Sequence, residues 1–209
     1  MRQAAPGLHQ SWLRAWQRNG ARTGGEAVCD ALIARYSEPH RRYHTLQHLS
    51  ECLALFQSIQ SLAVHPGEVE AALWFHDAIC DIGRSDNEER SADWARTAAD
   101  QAGVPRAVAE RIHALVMVTR HTGVPAGADE QLLVDIDLAI LGADPQRFAE
   151  YERQIREEYA HVPVEQFRQR RRAILGSFLE RQRVYGTTHF HDRLEAAARA
   201  NLRAAIDAC

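Results

Sequence analysis

The chain has 209 residues, of which 45% are hydrophobic and 25% charged, and its formal net charge is −3. Such a composition is typical of a soluble globular protein long enough for one sizeable domain. The charge argues against a nucleic-acid-binding protein, and we expect neither a signal peptide nor a membrane span, because no apolar run approaches the ~20 residues that a bilayer requires.

Helical periodicity runs through the chain, and no window alternates apolar and polar residues for long enough to predict a strand. Breaks rich in Gly, Pro and Asn separate the periodic segments. We therefore expect an all-α protein that forms a single compact multi-helix domain over residues 1–209, with a more charged outer layer of helices at about 146–209. The predicted helices cover residues 8–19, 24–36, 43–62, 66–79, 87–102, 105–120, 129–142, 144–160, 163–184 and 190–207.

The helix predicted at 43–62 places histidines on an apolar face. His48, Cys52 and Ile59 lie on one stripe of this face, and His44 is expected to point the same way one turn earlier. A buried polar side chain costs free energy unless it finds a partner. One such histidine is more often a hydrogen-bonded core residue than a metal ligand, so its interpretation depends on what the other helices carry.

Two later helices also carry polar residues on apolar stripes. His76 and Asp77 fall within the helix predicted at 66–79, and Asp137 lies between apolar residues of a later one. Asp135 is two positions before Asp137 and points about 200° away on a helix, which favours Asp137 as the inward acid. Two imidazoles and two carboxylates buried together would need a cation as partner, and mixed nitrogen and oxygen ligands suit Mn, Fe, Co, Zn, Ni or Mg.

The order His48 … His76-Asp77 … Asp137 resembles the HD superfamily of metal-dependent phosphohydrolases, which is named for that His-Asp pair. The resemblance covers roughly residues 30–145 and implies that this part is the helical catalytic core. It also implies that these four side chains hold the divalent metal, with one site expected and a second left open. The segments "FHDAICD" and "DIDLAILG" are similar to a little-characterised group of predicted HD-domain phosphohydrolases.

The segment "YHTLQH" resembles the HNxxH motif of class I cyclic-nucleotide phosphodiesterases, with Thr45 in place of the asparagine. In that branch the first histidine is the general acid for the leaving oxygen, a role that falls here on His44. Asp77, as in the family, is expected to bridge metal and nucleophile. The resemblance implies an enzyme in which a metal-activated water hydrolyses a phosphomonoester or phosphodiester of a small, nucleotide-like substrate.

Three residues just before the first motif histidine are candidates for substrate binding. Arg41 and Arg42 could grip a phosphate bidentately, and Tyr43 lies beside them in the chain. The alternative is chance placement, because the chain contains 25 arginines.

Further polar residues are candidates for supporting roles. Glu88 could be a catalytic acid, and the alternative is an acid favoured at a helix N-terminus, where Asp86 and Glu89 have the spacing of a capping box. Asp135 could orient a ligating histidine, position water or cap a helix. His121, at a predicted helix end, could approach the site without being a ligand.

Two other functions stay open at this point. One is a di-iron oxygenase of HD type, which would need more ligating histidines than the sequence places. The other is a non-catalytic helical binding module stabilised by its metal. The expected partner is a small phosphate ester or nucleotide, with neither nucleic acid nor membrane, and a homodimer is left open. The four cysteines lack CxxC spacing, so we expect free thiols and a cytoplasmic protein.

Overall fold

The computed structural model describes residues 6–209, and over this range the chain forms ten α-helices and no β-strand. The all-α expectation is confirmed, and each predicted helix corresponds to an observed one. Short 3₁₀ turns at Gln60–Leu62, Val118–Arg120 and Leu138–Gly142 follow the third, sixth and seventh helices. The helices are α1 (Pro6–Arg18), α2 (Glu26–Arg35), α3 (Leu46–Ile59), α4 (Pro66–Phe75), α5 (Asn87–Gln101), α6 (Arg106–Met117), α7 (Ala128–Asp137), α8 (Pro145–Glu158), α9 (Val164–Leu179) and α10 (Thr188–Ala208).

The chain forms two compact units, one that runs to Leu133 and a second from Val134 to Cys209. The boundary falls inside α7, so this helix contributes to both units. The first unit contains α1–α6 and the beginning of α7, and the second contains the end of α7 and α8–α10. The expectation of a single domain with an outer layer of helices stays a prediction.

Helix α4 forms the centre of the first unit, because every residue from Gly67 to Phe75 is buried. It packs against α1, α3, α5 and α6. A helix buried around its whole circumference is stable only inside a shell of other helices. Aromatic rings fill its contact with α1, where Trp12 stacks on Trp16 with ring centroids 4.4 Å apart and meets the edge of Trp74 at 5.6 Å.

Two acids of α4, Glu68 and Glu70, are buried in ion pairs with neighbouring helices. Glu70 accepts hydrogen bonds from Ser11 at 2.8 Å and from Arg14 at 2.6 Å, both on α1. Glu68 binds Arg111 of α6 through two contacts of 2.7 and 2.5 Å. A buried charge is costly unless it is paired, so these contacts fix α4 along its axis. They thereby fix the position of the residues that follow its C-terminal end.

Helix α10 packs against α8, α9 and the turn at Leu138–Gly142 in the second unit. The turn and α10 approach closely at Gly142, where a Cβ atom would lie 2.7 Å from the Cβ of Leu194 and 2.9 Å from the hydroxyl oxygen of Tyr185. The same hydroxyl donates to the carbonyl of Leu138 at 3.1 Å. Any larger residue at position 142 would therefore push the turn and the helix apart.

Glu195, on α10, accepts hydrogen bonds from the N–H groups of Val184 and Tyr185 and from the guanidinium of Arg199. Burial alone would raise the pKa of this carboxyl, but the hydrogen bonds and the Arg199 charge outweigh burial and hold the pKa below its ordinary value of 4.5. A carboxyl with a lowered pKa stabilises the fold above its unfolded pKa and loses that contribution as the pH falls through its folded pKa.

We expect Glu195→Gln to cost on the order of 1–2 kcal/mol of unfolding free energy near neutral pH, because charge-assisted hydrogen bonds become neutral ones. The difference from wild type should shrink as the pH falls below 4.5. Thermal unfolding of the wild type and of Glu195→Gln, from neutral pH to below pH 4.5, measures this difference in stability. Glu165→Gln, at an exposed position of α9, is the control. A difference that stays constant from neutral to acid pH would contradict the expectation.

Candidate metal centre

Three of the predicted ligands meet at one point of the first unit: His48 from α3, and His76 and Asp77, which directly follow α4. The Nε2 atoms of His48 and His76 are 3.1 Å apart. Oδ2 of Asp77 lies 3.0 Å from His76 Nε2 and 3.5 Å from His48 Nε2. Ligand atoms around a tetrahedral ion with bonds near 2.0–2.2 Å are separated by roughly 3.3–3.6 Å, so these three atoms lie within about 0.3 Å of the spacing of ligands to one cation.

The hydrogen bonding of His76 makes a cation a suitable partner for this group. His76 Nδ1 is 2.7 Å from the carbonyl oxygen of Leu73, so we assign the ring proton to Nδ1. In the neutral ring Nε2 then carries a lone pair, and it lies 3.0 Å from the Asp77 carboxylate. Two acceptors at this distance repel each other unless a second proton or a metal ion lies between them. Anchoring of the other ring nitrogen is also what metal-binding histidines commonly show.

Burial and charge differ across the group. His48 is 2% exposed and His76 is 1% exposed, whereas the Asp77 side chain is 23% exposed, so solvent reaches the group on the Asp77 side. Burial alone would raise the pKa of Asp77. When these imidazoles are protonated, the charges of His76 and His44, the hydrogen bond from His76 and the charge of His48 outweigh burial and hold that pKa well below its usual value. Asp77 is therefore a carboxylate at neutral pH.

One further ligand atom of this group was not predicted. Cys52 lies one turn after His48 on α3, and its sulfur is within 4.8 Å of the ligating atoms of both His48 and His76. Sγ is 3.7 Å from Nδ1 and 3.8 Å from Nε2 of His48. The signal in the sequence is the i, i+4 spacing of His48 and Cys52, which is equally typical of core packing for a small apolar residue. His48, Cys52 and His76 could together hold a metal ion.

Arg41, a predicted phosphate ligand, lies inside the fold with its side chain shielded from solvent. Its Nη1 donates to the carbonyls of Asp77 at 2.6 Å and His44 at 3.2 Å, and its Nη2 donates to the carbonyl of Ala78 at 3.0 Å. Its Nε donates to Glu38 at 3.1 Å. Arg41 thus ties the residues after α4 to the residues before α3. Substrate binding by Arg41 stays a prediction, but these contacts give the side chain a structural role.

Close to the metal-binding group, α3 begins at a different residue from the predicted one. The helix begins at Leu46 rather than at 43, because the Thr45 side chain accepts a hydrogen bond from the N–H of Gln47 and caps the helix. His44 therefore lies in the turn before α3, and the expectation that the helix begins at 43 and includes His44 is wrong. Its ring centroid is 6.2 Å from that of His48, so it lies beside the metal-binding group. Its role as general acid stays a prediction.

The end of α4 also differs, because the helix stops at Phe75 and not at 79. His76 caps the C-terminal end, and Asp77 is already outside the helix. Tertiary partners take the backbone groups of Asp77: its N–H donates to the Tyr36 hydroxyl at 3.3 Å and its carbonyl accepts from Arg41. These partners replace the hydrogen bonds that would continue the helix. The His-Asp pair is thus held by tertiary contacts and not by helical geometry.

The other two predicted substrate-binding residues have different surroundings. Tyr43 is buried and packs on His48 with ring centroids 4.7 Å apart. Arg42 is exposed. Contact of either residue with a substrate stays a prediction, and of the two only Arg42 already presents its side chain to solvent.

Asp135 and Asp137 belong to the second unit. Asp135 is fully buried and Asp137 only partly, so burial does not single out Asp137 as the inward acid. The reason is that residues 132–136 are all buried, which leaves α7 without a single inward stripe. Asp135 accepts from the N–H groups of Gly186 and Thr187, both at 2.8 Å, and from the Thr187 hydroxyl at 2.6 Å. These bonds hold the start of α10, and Asp137 as a metal ligand stays a prediction.

Glu88 lies in the first turn of α5, where the helix dipole favours an acid. The predicted capping box does not form, because the Asp86 side chain makes no cap hydrogen bond and instead binds the Arg84 guanidinium at 2.7 and 2.5 Å. His121 follows the turn at Val118–Arg120 in a left-handed conformation with φ of 54°. A catalytic role for Glu88 and a supporting role for His121 stay predictions.

Comparisons with known proteins assign no family. No protein-family model matches the chain, and searches of curated proteins and of solved structures find no match. None of the helices that the structure describes combines the length and the apolarity needed to cross a lipid bilayer. The structure itself shows an all-helical protein with histidine, cysteine and aspartate side chains grouped so that they could hold a metal, which is compatible with an HD-like fold.

Proposed function

We propose that the chain is an HD-type metal-dependent phosphohydrolase that hydrolyses a phosphomonoester or phosphodiester of a small, nucleotide-like molecule. The observation that supports this most strongly is the grouping of His48 Nε2, His76 Nε2 and Asp77 Oδ2 at separations of 3.0, 3.1 and 3.5 Å. They are three of the four residues to which the HD resemblance gives the metal. Asp137 is proposed as the fourth.

A divalent cation at this site would lower the pKa of a bound water and polarise a phosphoryl oxygen. Side chains of the protein orient the water and donate the proton. Asp77, charged and partly exposed, accepts a hydrogen bond from the attacking water and orients it towards phosphorus. As the water oxygen bonds to phosphorus, the water releases a proton to solvent and the bond from phosphorus to the leaving oxygen breaks. His44, in the turn before α3, donates a proton to that leaving oxygen.

Hydrolysis of a panel of phosphate esters and nucleotides by metal-loaded protein tests the proposal. We expect turnover of at least one compound, and we expect Asp77→Ala to lower kcat/KM by at least about 10²–10⁴-fold, because it removes a metal ligand and the group that orients water. His113→Ala is the matched control, since His113 lies on α6 with its Nε2 3.3 Å from Asp93. If no hydrolysis is lost in the Asp77 variant, the proposal is wrong.

The role of His44 has its own test in the leaving group. We expect His44→Gln to lower kcat by about 10²–10⁴-fold for an alkyl phosphate, whose leaving oxygen needs a proton. A p-nitrophenyl ester, whose leaving group is stable as an anion, should be hydrolysed at close to the wild-type rate. Equal losses for both substrates would show that His44 does not act as the general acid.

The burial of several ligands favours a second candidate function, in which the metal stabilises the fold and takes no part in catalysis. Structural zinc sites are closed, whereas catalytic sites keep an open position. His48, Cys52 and His76 are each at most 3% exposed, as in a closed site, but the exposure of Asp77 favours an open one. Metal removal that lowers the melting temperature, together with no hydrolysis of any compound in the panel, would favour the structural role.

A further inference from the structure

We infer that Cys52 is a ligand of this metal centre, and that its sulfur makes the site one for Zn²⁺ or Co²⁺ rather than for Mg²⁺ or Mn²⁺. The inference rests on the metal site of the proposed function and specifies its chemistry. The ligand set implied by the HD resemblance contains no cysteine, so the assignment comes from the geometry alone.

The position of Cys52 follows from the helix. Residues four apart on α3 are neighbours, which brings the thiol of Cys52 beside the imidazole of His48. Sγ is 3.8 Å from His48 Nε2 and within 4.8 Å of the ligating atom of His76. With Zn–S near 2.3 Å and Zn–N near 2.0–2.1 Å, sulfur and nitrogen ligands of a tetrahedral ion lie roughly 3.6 Å apart. The observed spacing is close to this, so Cys52 and His48 can hold one ion with little movement.

The chemistry of the sulfur decides which metals the site takes. A thiolate is a soft ligand that binds Zn²⁺ and Co²⁺ well, whereas Mg²⁺ prefers oxygen ligands in an octahedral arrangement. The sulfur binds as a thiolate and gives its proton to solvent on metal binding. Two imidazoles and one thiolate are ligands suited to a tetrahedral borderline-soft ion.

The same contacts allow a different role for Cys52. A thiol can donate a weak hydrogen bond to His48 Nδ1, which is 3.7 Å from Sγ, and at 3% exposure the residue would then be part of the core. In this role the sulfur never touches the metal, and replacing Cys52 by serine leaves the metal spectrum unchanged. The spectrum of a bound metal therefore separates the two roles.

Cys29 offers a matched control within the same unit. It lies on α2, is buried as Cys52 is, and is a free thiol. Burial, with the charges of Asp30 and Glu26, raises the pKa of the Cys29 thiol to about 12. Cys29 therefore stays a protonated thiol, and Cys29→Ser reports the effect of losing a buried cysteine without changing the site.

Titration of the full chain with Co²⁺ under reducing, oxygen-free conditions tests the inference. We expect tetrahedral visible bands and a sulfur-to-cobalt charge-transfer band in the near ultraviolet, and we expect excess Mg²⁺ to leave both unchanged. Cys52→Ser should lose the charge-transfer band and bind Co²⁺ at least about tenfold more weakly, since even the loss of a group that only orients a ligand typically costs that much. Cys29→Ser should keep the band and the affinity.

Two results would overturn the inference. One is Co²⁺ binding without a charge-transfer band, or with the same band in Cys52→Ser, and it leaves the hydrolase proposal standing. The other is no Co²⁺ binding at all, which also removes the metal site from the proposed function. Zinc K-edge absorption of the wild type gives a measurement that needs no variant: we expect a sulfur neighbour at about 2.3 Å, and only nitrogen and oxygen neighbours would exclude Cys52.

Discussion

Replacement of His76 by alanine is expected to weaken Co²⁺ or Zn²⁺ binding by more than about 100-fold, since even the loss of a residue that only orients a ligand costs roughly 10–100-fold. His76 contributes its Nε2 atom to the group, and the Leu73 carbonyl holds its ring in the orientation that binding requires. The substitution also removes the imidazole nitrogen that lies 3.0 Å from the Asp77 carboxylate. Competition with a chelating indicator measures the affinity, and elemental analysis gives the metal content.

His113→Ala is the matched control for this measurement, because it removes a histidine of the same unit that pairs with Asp93 outside the metal-binding group. Asp77→Asn is a second variant that preserves shape and removes only the charge, so it keeps the test valid if His76→Ala fails to fold. Wild-type affinity in a folded His76 or Asp77 variant, judged by circular dichroism, would show that the metal binds elsewhere.

Arg41→Ala is expected to lower the unfolding free energy of the first unit by about 3–5 kcal/mol, because it removes a buried guanidinium from a partly buried ion pair and leaves three carbonyls without their donor. The carbonyls are those of His44, Asp77 and Ala78, and the carboxylate is that of Glu38. Guanidinium unfolding followed by tryptophan fluorescence measures this, since all four tryptophans lie in the first unit.

Arg41→Lys separates geometry from charge. A lysine ammonium is a point charge and cannot reproduce the planar fork of donors, so we expect it to recover only a small part of the loss. Arg42→Ala is the control at the next, exposed position, with an expected change within about 1 kcal/mol. Equal effects at positions 41 and 42, or full recovery by lysine, would contradict the structural role of Arg41.

The helices follow from local sequence patterns, but the start of α3 and the end of α4, which lie at the metal centre, do not. Apolar residues that recur with helical spacing identify α3 and α4 wherever the rest of the chain lies. Thr45 starts α3 three residues later than the pattern alone implies, through a side-chain bond to the helix backbone. α4 stops at Phe75 because Tyr36 and Arg41, far away in sequence, bind the backbone of Asp77. Periodicity carries no information about such partners.

The candidate ligands also divide into those that the sequence predicts and one that only the structure reveals. His48, His76 and Asp77 attract notice in the sequence because polar groups on apolar stripes need partners. Cys52 attracts none, because a cysteine on such a stripe is an ordinary core residue until two imidazoles are found beside it. Arg41 next to a motif histidine resembles a phosphate ligand, and only packing reveals the carbonyls around its guanidinium.

The sequence by itself determined the all-α class, the order of the helices and the residue types available for a metal, since all three depend on chemistry that is local along the chain. The tertiary structure decided which of those residues meet. It places the Nε2 atoms of His48 and His76 3.1 Å apart, with the Cys52 sulfur beside them. It also directs the side chains of Arg41 and Asp135 into hydrogen bonds with backbone groups. The physical reason is that distances between helices are set by the packing of side chains from the whole unit, and no single segment contains that information.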